Sequence, residues 1–427
     1  MMSTPMLYEN NQEFAFKQDQ SDELAKFRDY FHIPQNENNQ DLIYFAGNSL
    51  GLMPKTTTKY ITEVLHDWQT YGVEGHFKAK HAWMPYHELV QASFMNLTQS
   101  SYNEVVAMNS LTANLHLMMV AFYQPTSSKY KILIEENTFP SDKYAVASQA
   151  IYHGFDSSNA IIEFKSNNDN LVVSTDSIID TIEKNRDSLS LILIGQPNYL
   201  TGQVFDIAPI VELAQKYNIK IGLNLAHGIG NLDLNLNSLN IDFAVWCSYK
   251  YLNSGPGGIA GLFIHEKHHG NSHLPRFSGW WGHNQANRFT MPNNFEPMTG
   301  ALGFQLSNPP IFQLASLRAS LDIFQEAKID RLREKSIKLT GYLEYLINQE
   351  FKHKHNINII TPAQPNERGA QLSLKLANAQ SNIVENLRAF NLICDFRYPD
   401  ILRMAPTPLY NSYTDVYNSV KILSKIL

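Results

Sequence analysis

Lys250 is the side chain in this sequence with the clearest capacity for covalent chemistry. It follows the apolar run Phe243 to Cys247, within Ser248-Tyr-Lys250, and a turn containing Gly255, Gly257 and Gly258 comes directly after it. The run reads as an inner strand, and open α/β sheets present functional groups beyond the carboxyl ends of such strands. A lysine set there loses part of its hydration, so its pKa falls and the amine becomes nucleophilic enough for a Schiff base. A lysine snorkelling from a strand end leaves the same local pattern. Its assignment therefore depends on what the rest of the chain brings to the same place.

Other chemically useful groups stand after other apolar runs. Ser110 or Thr112 can cap a helix running toward Phe122, whose free N–H groups and positive dipole end make an anion site. Asp142 ends the turn that follows Lys131-Ile-Leu-Ile134, and Asn224 and His227 close the run from Ile219 to Leu225. In one parallel sheet these residues converge with Lys250 on one edge, giving an anion cradle, polar groups and an amine. That set suits pyridoxal 5'-phosphate, which needs a phosphate site, a Schiff-base lysine and a polar partner for its ring nitrogen. His265-Glu-Lys-His-His269 also satisfies the H-E-x-x-H zinc pattern, but it follows an apolar strand and precedes Gly270. Zinc chemistry needs both histidines on one helix face, so no metal is expected.

The elements that must position these groups alternate. Apolar strands near 131–134, 189–194, 219–225, 243–247 and 259–264 are separated by helical stretches, such as one capped by Asp206 with Ile210, Leu213, Ala214 and Tyr217 on one face. Such alternation predicts crossover units and a mainly parallel sheet. The segment Tyr44 to Pro54 places Asn48 and Ser49 between glycines, as in a buried turn or binding loop. Beyond about residue 310, Leu314, Leu317, Leu321 and Phe324 mark an amphipathic helix. Leu372, Leu374 and Leu376 alternate as a half-exposed strand, and 415–427 closes as a helix. The first 40 or so residues are polar and rich in Asn and Gln, and read as an arm or short helix rather than core. The expected division is 1–50 as arm and part of a small domain, 51–310 as a large domain and 311–427 as the small domain.

A chain of 427 residues favours two domains, and 44% hydrophobic content is enough for a sizeable core. The net charge of -6, with no basic run, gives no footing for nucleic acid or an anionic membrane. Cys247 and Cys394 lie far apart and form no disulfide or metal pattern, which suits a reducing compartment. With no secretory signal and no apolar run of transmembrane length, a cytoplasmic protein is expected.

Several longer stretches share a pattern with one family. They are Gly47-Asn-Ser-Leu-Gly51, Met108-Asn-Ser-Leu-Thr-Ala-Asn-Leu-His-Leu117, Phe139-Pro-Ser-Asp142, Thr201-Gly-Gln203 and Leu225-Ala-His227. They continue with Trp246-Cys-Ser-Tyr-Lys-Tyr-Leu-Asn253, Gly279-Trp-Trp-Gly-His283, Ser307-Asn-Pro-Pro310 and Arg403-Met-Ala-Pro-Thr-Pro-Leu-Tyr-Asn-Ser412. From Gly47 to its end the chain resembles kynureninase, a pyridoxal-phosphate hydrolase of the aminotransferase superfamily. The resemblance implies the α/β architecture called fold type I: a large cofactor-binding domain on a mainly parallel seven-stranded sheet, plus a smaller α+β domain. It also implies a homodimer acting in tryptophan catabolism and NAD biosynthesis. The reaction would be hydrolysis of kynurenine or 3-hydroxykynurenine between Cβ and Cγ.

By position, the resemblance gives Lys250 the cofactor linkage, with Tyr249 near the phosphate. Leu111 and Thr112 would bind at the helix start, Phe139 would stack on the ring, and Ser141, Asp142 and His227 would line the site. Trp280 would reach the phosphate from a partner subunit. Arg403 would clamp the substrate carboxylate, where a planar fork fits better than a lysine. His76 and Asn293 would face the substrate ring, with Ser49 nearby. One residue departs from the family pattern: an Asp-Leu-Ala-His run reads Asn224-Leu-Ala-His227 here. The aspartate keeps the pyridine nitrogen protonated by ion pairing, whereas an amide supplies no charge, so a weaker electron sink is expected unless Asp142 approaches the ring. The alternative implied by that departure is a homologue with weakened or altered activity, or a silent binding protein. A cysteine desulfurase is disfavoured, because neither cysteine stands in a mobile loop.

Overall fold

The computed structural model describes residues 7–166, 171–271, 273–354, 356–377, 379 and 382–427. Short runs of Ile, Leu and Val form the main strands because a strand covered on both faces gains from apolar side chains on each. Seven such runs build the main sheet: β1 (Val105–Ala107), β2 (Lys131–Glu135), β3 (Ile161–Phe164), β4 (Leu189–Gly195), β5 (Lys220–Asn224), β6 (Phe243–Trp246) and β7 (Gly261–Ile264). Their order is β1-β7-β6-β5-β4-β2-β3. β7 is antiparallel to both neighbours, and the remaining neighbouring pairs are parallel. β7 is the exception because the glycine turn after Lys250 brings the chain back without a crossover helix. The six other strands point one way, and their carboxyl ends share one edge.

The longer helices among the described residues frame the sheets: α1 (Gln12–Ser21), α2 (Thr57–Tyr71), α3 (Glu88–Thr98), α4 (Leu111–Phe122), α5 (Pro140–Tyr152), α6 (Thr175–Asn185), α7 (Ala208–Lys216), α8 (Ile311–Ala327), α9 (Ile329–Glu350) and α10 (Tyr413–Ile426). The strand alternation divides the core. Ile132, Ile134, Leu191 and Leu193 pack with α4 and α5 on one face, while Leu133, Ile192 and Ile194 join α3, α7 and α8 on the other. Gly222 in β5 is one tight point between neighbouring strands, because a Cβ there would run into the Phe243 ring.

The smaller sheet is antiparallel: β8 (Ile357–Ile359), β9 (Leu372–Leu376), β10 (Asp395–Arg397) and β11 (Ile401–Met404), in the order β10-β11-β9-β8. α9 and α10 cover it. Leu314 to Leu332 belong to the first core and Leu339 to Leu346 to the second, so the two cores meet within α9.

Two expectations change. β9 is not half-exposed: Ser373 is fully buried, and its hydroxyl donates to the Leu200 carbonyl at 2.6 Å, because the second face of β9 lies on the large domain. The amino-terminal segment is not outside the core either, since Ala15, Leu24, Phe27 and Phe31 are buried. Phe27 and Phe31 are four residues apart and present one apolar edge from a polar stretch. The segment is also tied down by polar contacts: the Asp19 carboxylate accepts from Tyr413 N at 2.6 Å and Thr414 N at 3.0 Å, and Arg28 reaches Asp415 at 2.8 Å.

Gly222→Ala is expected to lower stability by about 1–3 kcal/mol through overpacking against Phe243, read as a lower urea midpoint at unchanged slope. A midpoint equal to that of the wild type would mean that the ring moves aside at no cost.

Candidate active site

The loops beyond β1, β2, β4, β5 and β6 line one open crevice. Leu111 and Thr112 enter from the start of α4, and Phe139, Ser141 and Asp142 from the β2 loop. Asn224 and His227 follow β5, and Tyr249 and Lys250 follow β6. The extended Ser110 precedes α4 but makes no side-chain capping bond, and Thr112 Oγ1 lies 3.0 Å from Ser141 Oγ. A helix start without its own cap, beside two hydroxyls, is suited to an anion.

Lys250 is part-buried, with Nζ 2.9 Å from His227 Nε2 and 5.8 Å from the centre of the Phe139 ring. Loss of hydration pushes the lysine pKa down; Cys247 and Asp142 oppose this, and Arg403 and Arg397 add to it. His227 is buried, and desolvation followed by the Lys250 charge pushes its pKa well below the usual histidine value. Its neutral ring is then an acceptor for a protonated lysine. Desolvation also raises the Tyr249 pKa, with the neighbouring Cys247 adding to the rise, so the phenol remains a donor.

Two buried acids face this group. Burial pushes the Asp142 carboxyl up to about 6, against the hydrogen bond from Asn224 and the charge of Lys250. Burial pushes Glu135 up to about 8, although its carboxylate accepts from Gly195 N at 2.6 Å and Thr138 Oγ1 at 2.9 Å. Glu135 lines the crevice and was not anticipated as a site residue. An acidic side chain ending an apolar strand was the available signal.

Beside the crevice lies a second polar group. Arg403 is 1% exposed; its Nε donates to Asp395 Oδ1 at 2.9 Å, Nη1 to the Tyr199 carbonyl at 2.7 Å and Nη2 to Ser49 Oγ at 3.2 Å. Arg397 donates to Asp395 Oδ2 at 3.0 Å, and Ser49 donates to the same oxygen. Tyr199 connects the two groups, since it also lines the crevice and sets its ring edge-on to Phe139 at 5.3 Å. Tyr199, Asp395 and Arg397 were missed. Asp395 and Arg403 face each other only because β10 and β11 pair antiparallel in that register.

Three expected residues are not brought to the crevice within this chain. His76 lies in the short helix Gly75–Lys78, with Nδ1 2.9 Å from the Val73 carbonyl and its ring edge-on to Trp83. Trp280 is 39% exposed and donates through Nε1 to the Arg288 carbonyl at 3.2 Å. Asn293 is exposed. The H-E-x-x-H segment forms a 3₁₀ turn, Glu266–His268, in which His265 Nδ1 accepts from Lys267 N at 3.0 Å and His268 Nε2 sits 2.8 Å from Asp242. The two cysteines are free and buried.

Comparison with known proteins gives one family over nearly the whole chain. Residues 332–423 match the model of the kynureninase C-terminal domain. A kynureninase of Myxococcus xanthus (strain DK1622) is 49% identical over 99% of both chains. One from Koribacter versatilis (strain Ellin345) is 47% identical over 97% of both, and one from Nematostella vectensis is 43% identical over 97% of this chain and 93% of its own. Among solved structures, the cysteine desulfurase CsdA of Escherichia coli aligns with a TM-score of 0.75 at 15% identity, covering 94% of this chain and 98% of its own. A C-DES mutant with glycine covalently linked to its PLP cofactor also scores 0.75, at 16% identity, covering 89% of this chain and 96% of its own. At that identity the structures establish the shared fold.

Asp395→Asn keeps the shape of the arginine cluster but removes the anion between Arg403 and Arg397. It is expected to destabilise the protein by about 3 kcal/mol, measured by denaturant unfolding; a loss below about 0.5 kcal/mol would mean that the cluster is effectively solvated.

Proposed function

The chain belongs to the kynureninase family, and from that premise we propose that it hydrolyses L-kynurenine or 3-hydroxy-L-kynurenine between Cβ and Cγ. The products are anthranilate or 3-hydroxyanthranilate and L-alanine, which places the reaction in tryptophan catabolism and NAD biosynthesis. Members of the family are pyridoxal-phosphate-dependent hydrolases, and the residues of the crevice fit that cofactor. The α4 start and the Thr112 and Ser141 hydroxyls suit its phosphate, Lys250 its aldehyde, and Asp142 Oδ1, which has no hydrogen-bond partner among the described residues, its ring nitrogen. Bound there, it supplies an electron sink for the carbon bearing the substrate amine.

The observation that carries the reading is the Lys250 amine, poorly hydrated and 2.9 Å from neutral His227, in the same crevice as the α4 anion cradle. The Lys250 amine would take the α-proton of the substrate. A lysine with a lowered pKa is available as a base nearer to neutral pH than a solvated one. His227 holds the amine in place by accepting its hydrogen bond. Tyr249, kept protonated by burial, would donate toward the phosphate, and the Phe139 ring would hold the cofactor ring. Leu111 and Thr112 would hold the phosphate at the helix start.

The α-carboxylate is assigned to Arg403. Arg403 and Arg397 share the single carboxylate of Asp395, which leaves one unit of positive charge for the substrate. The incoming carboxylate exchanges with Ser49 Oγ or the Tyr199 carbonyl for the arginine's donors. The aromatic end of the substrate is assigned to His76 and Asn293, and the phosphate receives a further donor from Trp280. These three come from the second copy of a homodimer, a reading supported by the exposed Trp280, Phe289 and Met291 on one segment. Both His76 and Asn293 can hydrogen-bond a ring hydroxyl, which favours 3-hydroxykynurenine. A cytoplasmic location completes the proposal, supported by the two free, buried cysteines; no described helix is long and apolar enough to cross a membrane. The 43–49% identity to kynureninases over nearly full length favours the enzyme over a silent binding protein.

Purified protein loaded with pyridoxal phosphate is expected to convert one or both substrates to equimolar alanine and anthranilate-type product, detected by fluorescence and chromatography. Lys250→Ala is expected to lower turnover by roughly 10³-fold or more. A wild-type protein that carries the cofactor band yet forms no product from either substrate would sink the proposal.

A further inference from the structure

We propose that in this chain Asp142, not residue 224, supplies the negative charge opposite the cofactor's ring nitrogen, and that Asn224 is the residue that positions it. The inference rests on the cofactor reading of the crevice and is independent of which substrate is used.

The orientation of Asn224 carries the argument. It ends β5, opposite Gly195 of β4 and Val245 of β6. The Ala226 backbone N–H can only donate, and it donates to Asn224 Oδ1 at 2.9 Å. That fixes the amide, so Nδ2 is the end that meets Asp142, where it donates to Oδ2. Asp142 is 4% exposed, and its second oxygen, Oδ1, is buried with no hydrogen-bond partner among the described residues. An unpaired buried carboxylate oxygen is costly, and this one belongs to a residue lining the crevice with Lys250. Among the described residues it is the buried acceptor that a pyridinium N–H would satisfy there.

The charge is also conserved in kind. Two aspartates at hydrogen-bond distance cannot both ionise freely; they share one proton, so one is an acid donating to the other's carboxylate. An amide donating to a carboxylate has nearly the same shape and the same net charge. The Asn224–Asp142 pair is therefore the fixed one-proton form of an aspartate pair, with the ionised member always Asp142. Burial, which raises the carboxyl of Asp142, is opposed by the Asn224 hydrogen bond and the Lys250 charge. A cationic ring nitrogen would add to the same side.

The test is nitrogen-15 NMR of protein reconstituted with ring-labelled pyridoxal 5'-phosphate, with cofactor affinity followed by fluorescence. Wild type is expected to give a pyridinium resonance. Asp142→Asn should move it to the neutral pyridine range and weaken affinity by about tenfold or more, the equivalent of one pKa unit of lost ion pairing. Asn224→Ala should shift the resonance part of the way, Asn224→Asp should keep it protonated, and the exchanged pair Asp142→Asn with Asn224→Asp should restore it. A pyridinium signal that persists in Asp142→Asn, or a neutral signal in the wild type, overturns the proposal. Should the Asp142 variants fail to fold, the wild type alone decides. An analogue with carbon in place of the ring nitrogen must bind about tenfold more weakly or worse, and equal affinity overturns the inference. A wild type that binds no cofactor at all would instead defeat the cofactor reading on which this one stands.

Discussion

A lysine amine kept poorly hydrated beside a neutral imidazole is the constraint to which the surrounding structure answers. Nζ of Lys250 and Nε2 of His227 lie 2.9 Å apart, on loops after adjacent strands. Such a contact holds only if the two loops are fixed. The Lys250 carbonyl accepts from Asn253 N at 3.0 Å, and the Tyr249 carbonyl accepts from Gly51 N at 2.8 Å. Gly51 lies so close to the Lys250 carbonyl and the Asn253 side chain that a Cβ would collide with both. The glycine in Gly47-Asn-Ser-Leu-Gly51 is thus explained by close backbone approach. Through it, a segment far upstream in sequence holds the Lys250 loop in place.

Ionisable groups gather around that lysine at short range. Asp142 and Glu135 are buried acids, and Arg403 and Arg397 are cations with Asp395 between them. Each acid is supported by donors that leave its neighbours free: Asn224 for Asp142, and Gly195 N and Thr138 for Glu135. The amide of Asn224 removes less charge from the crevice than the sequence suggested, because it donates to the carboxylate of Asp142 rather than facing open space. The charge that the sequence counts as missing from one strand remains on the loop of another.

The convergence of Lys250, Thr112 and Asp142 on one crevice was legible in the sequence, and the reason is local. Lys250, Thr112 and Asp142 each follow an apolar run, and a parallel sheet brings such positions together whatever the intervening helices are. Tyr199, Asp395 and Arg397 were not legible because their roles come from register and domain contact. Asp395 meets Arg403 only through the pairing of β10 with β11, and Tyr199 offers its backbone carbonyl, which carries no sequence signature. The same distinction explains the amino-terminal segment. Its polar composition hides Phe27 and Phe31, buried by partners distant in sequence. Trp280, His76 and Asn293 stand apart from the crevice in one chain, so no argument from this chain's own strands could place them there.

The loop after β4 is where the two domains act on one another. The Tyr199 carbonyl accepts from Arg403 at 2.7 Å and from Gln371 at 3.1 Å, and the Leu200 carbonyl accepts from Ser373 at 2.6 Å. Gln371 in turn accepts from Asn48 at 2.8 Å, next to Ser49 on the arginine cluster. The Tyr199 ring rests edge-on against Phe139 in the large domain. An anion that draws Arg403 away from the Tyr199 carbonyl therefore acts on a loop that also borders the crevice of Lys250. Because the displaced contacts are buried, the carbonyl must find another donor, and Gln371 is already within reach. The polar network thus lets the arginine change partners without leaving a backbone oxygen unpaired.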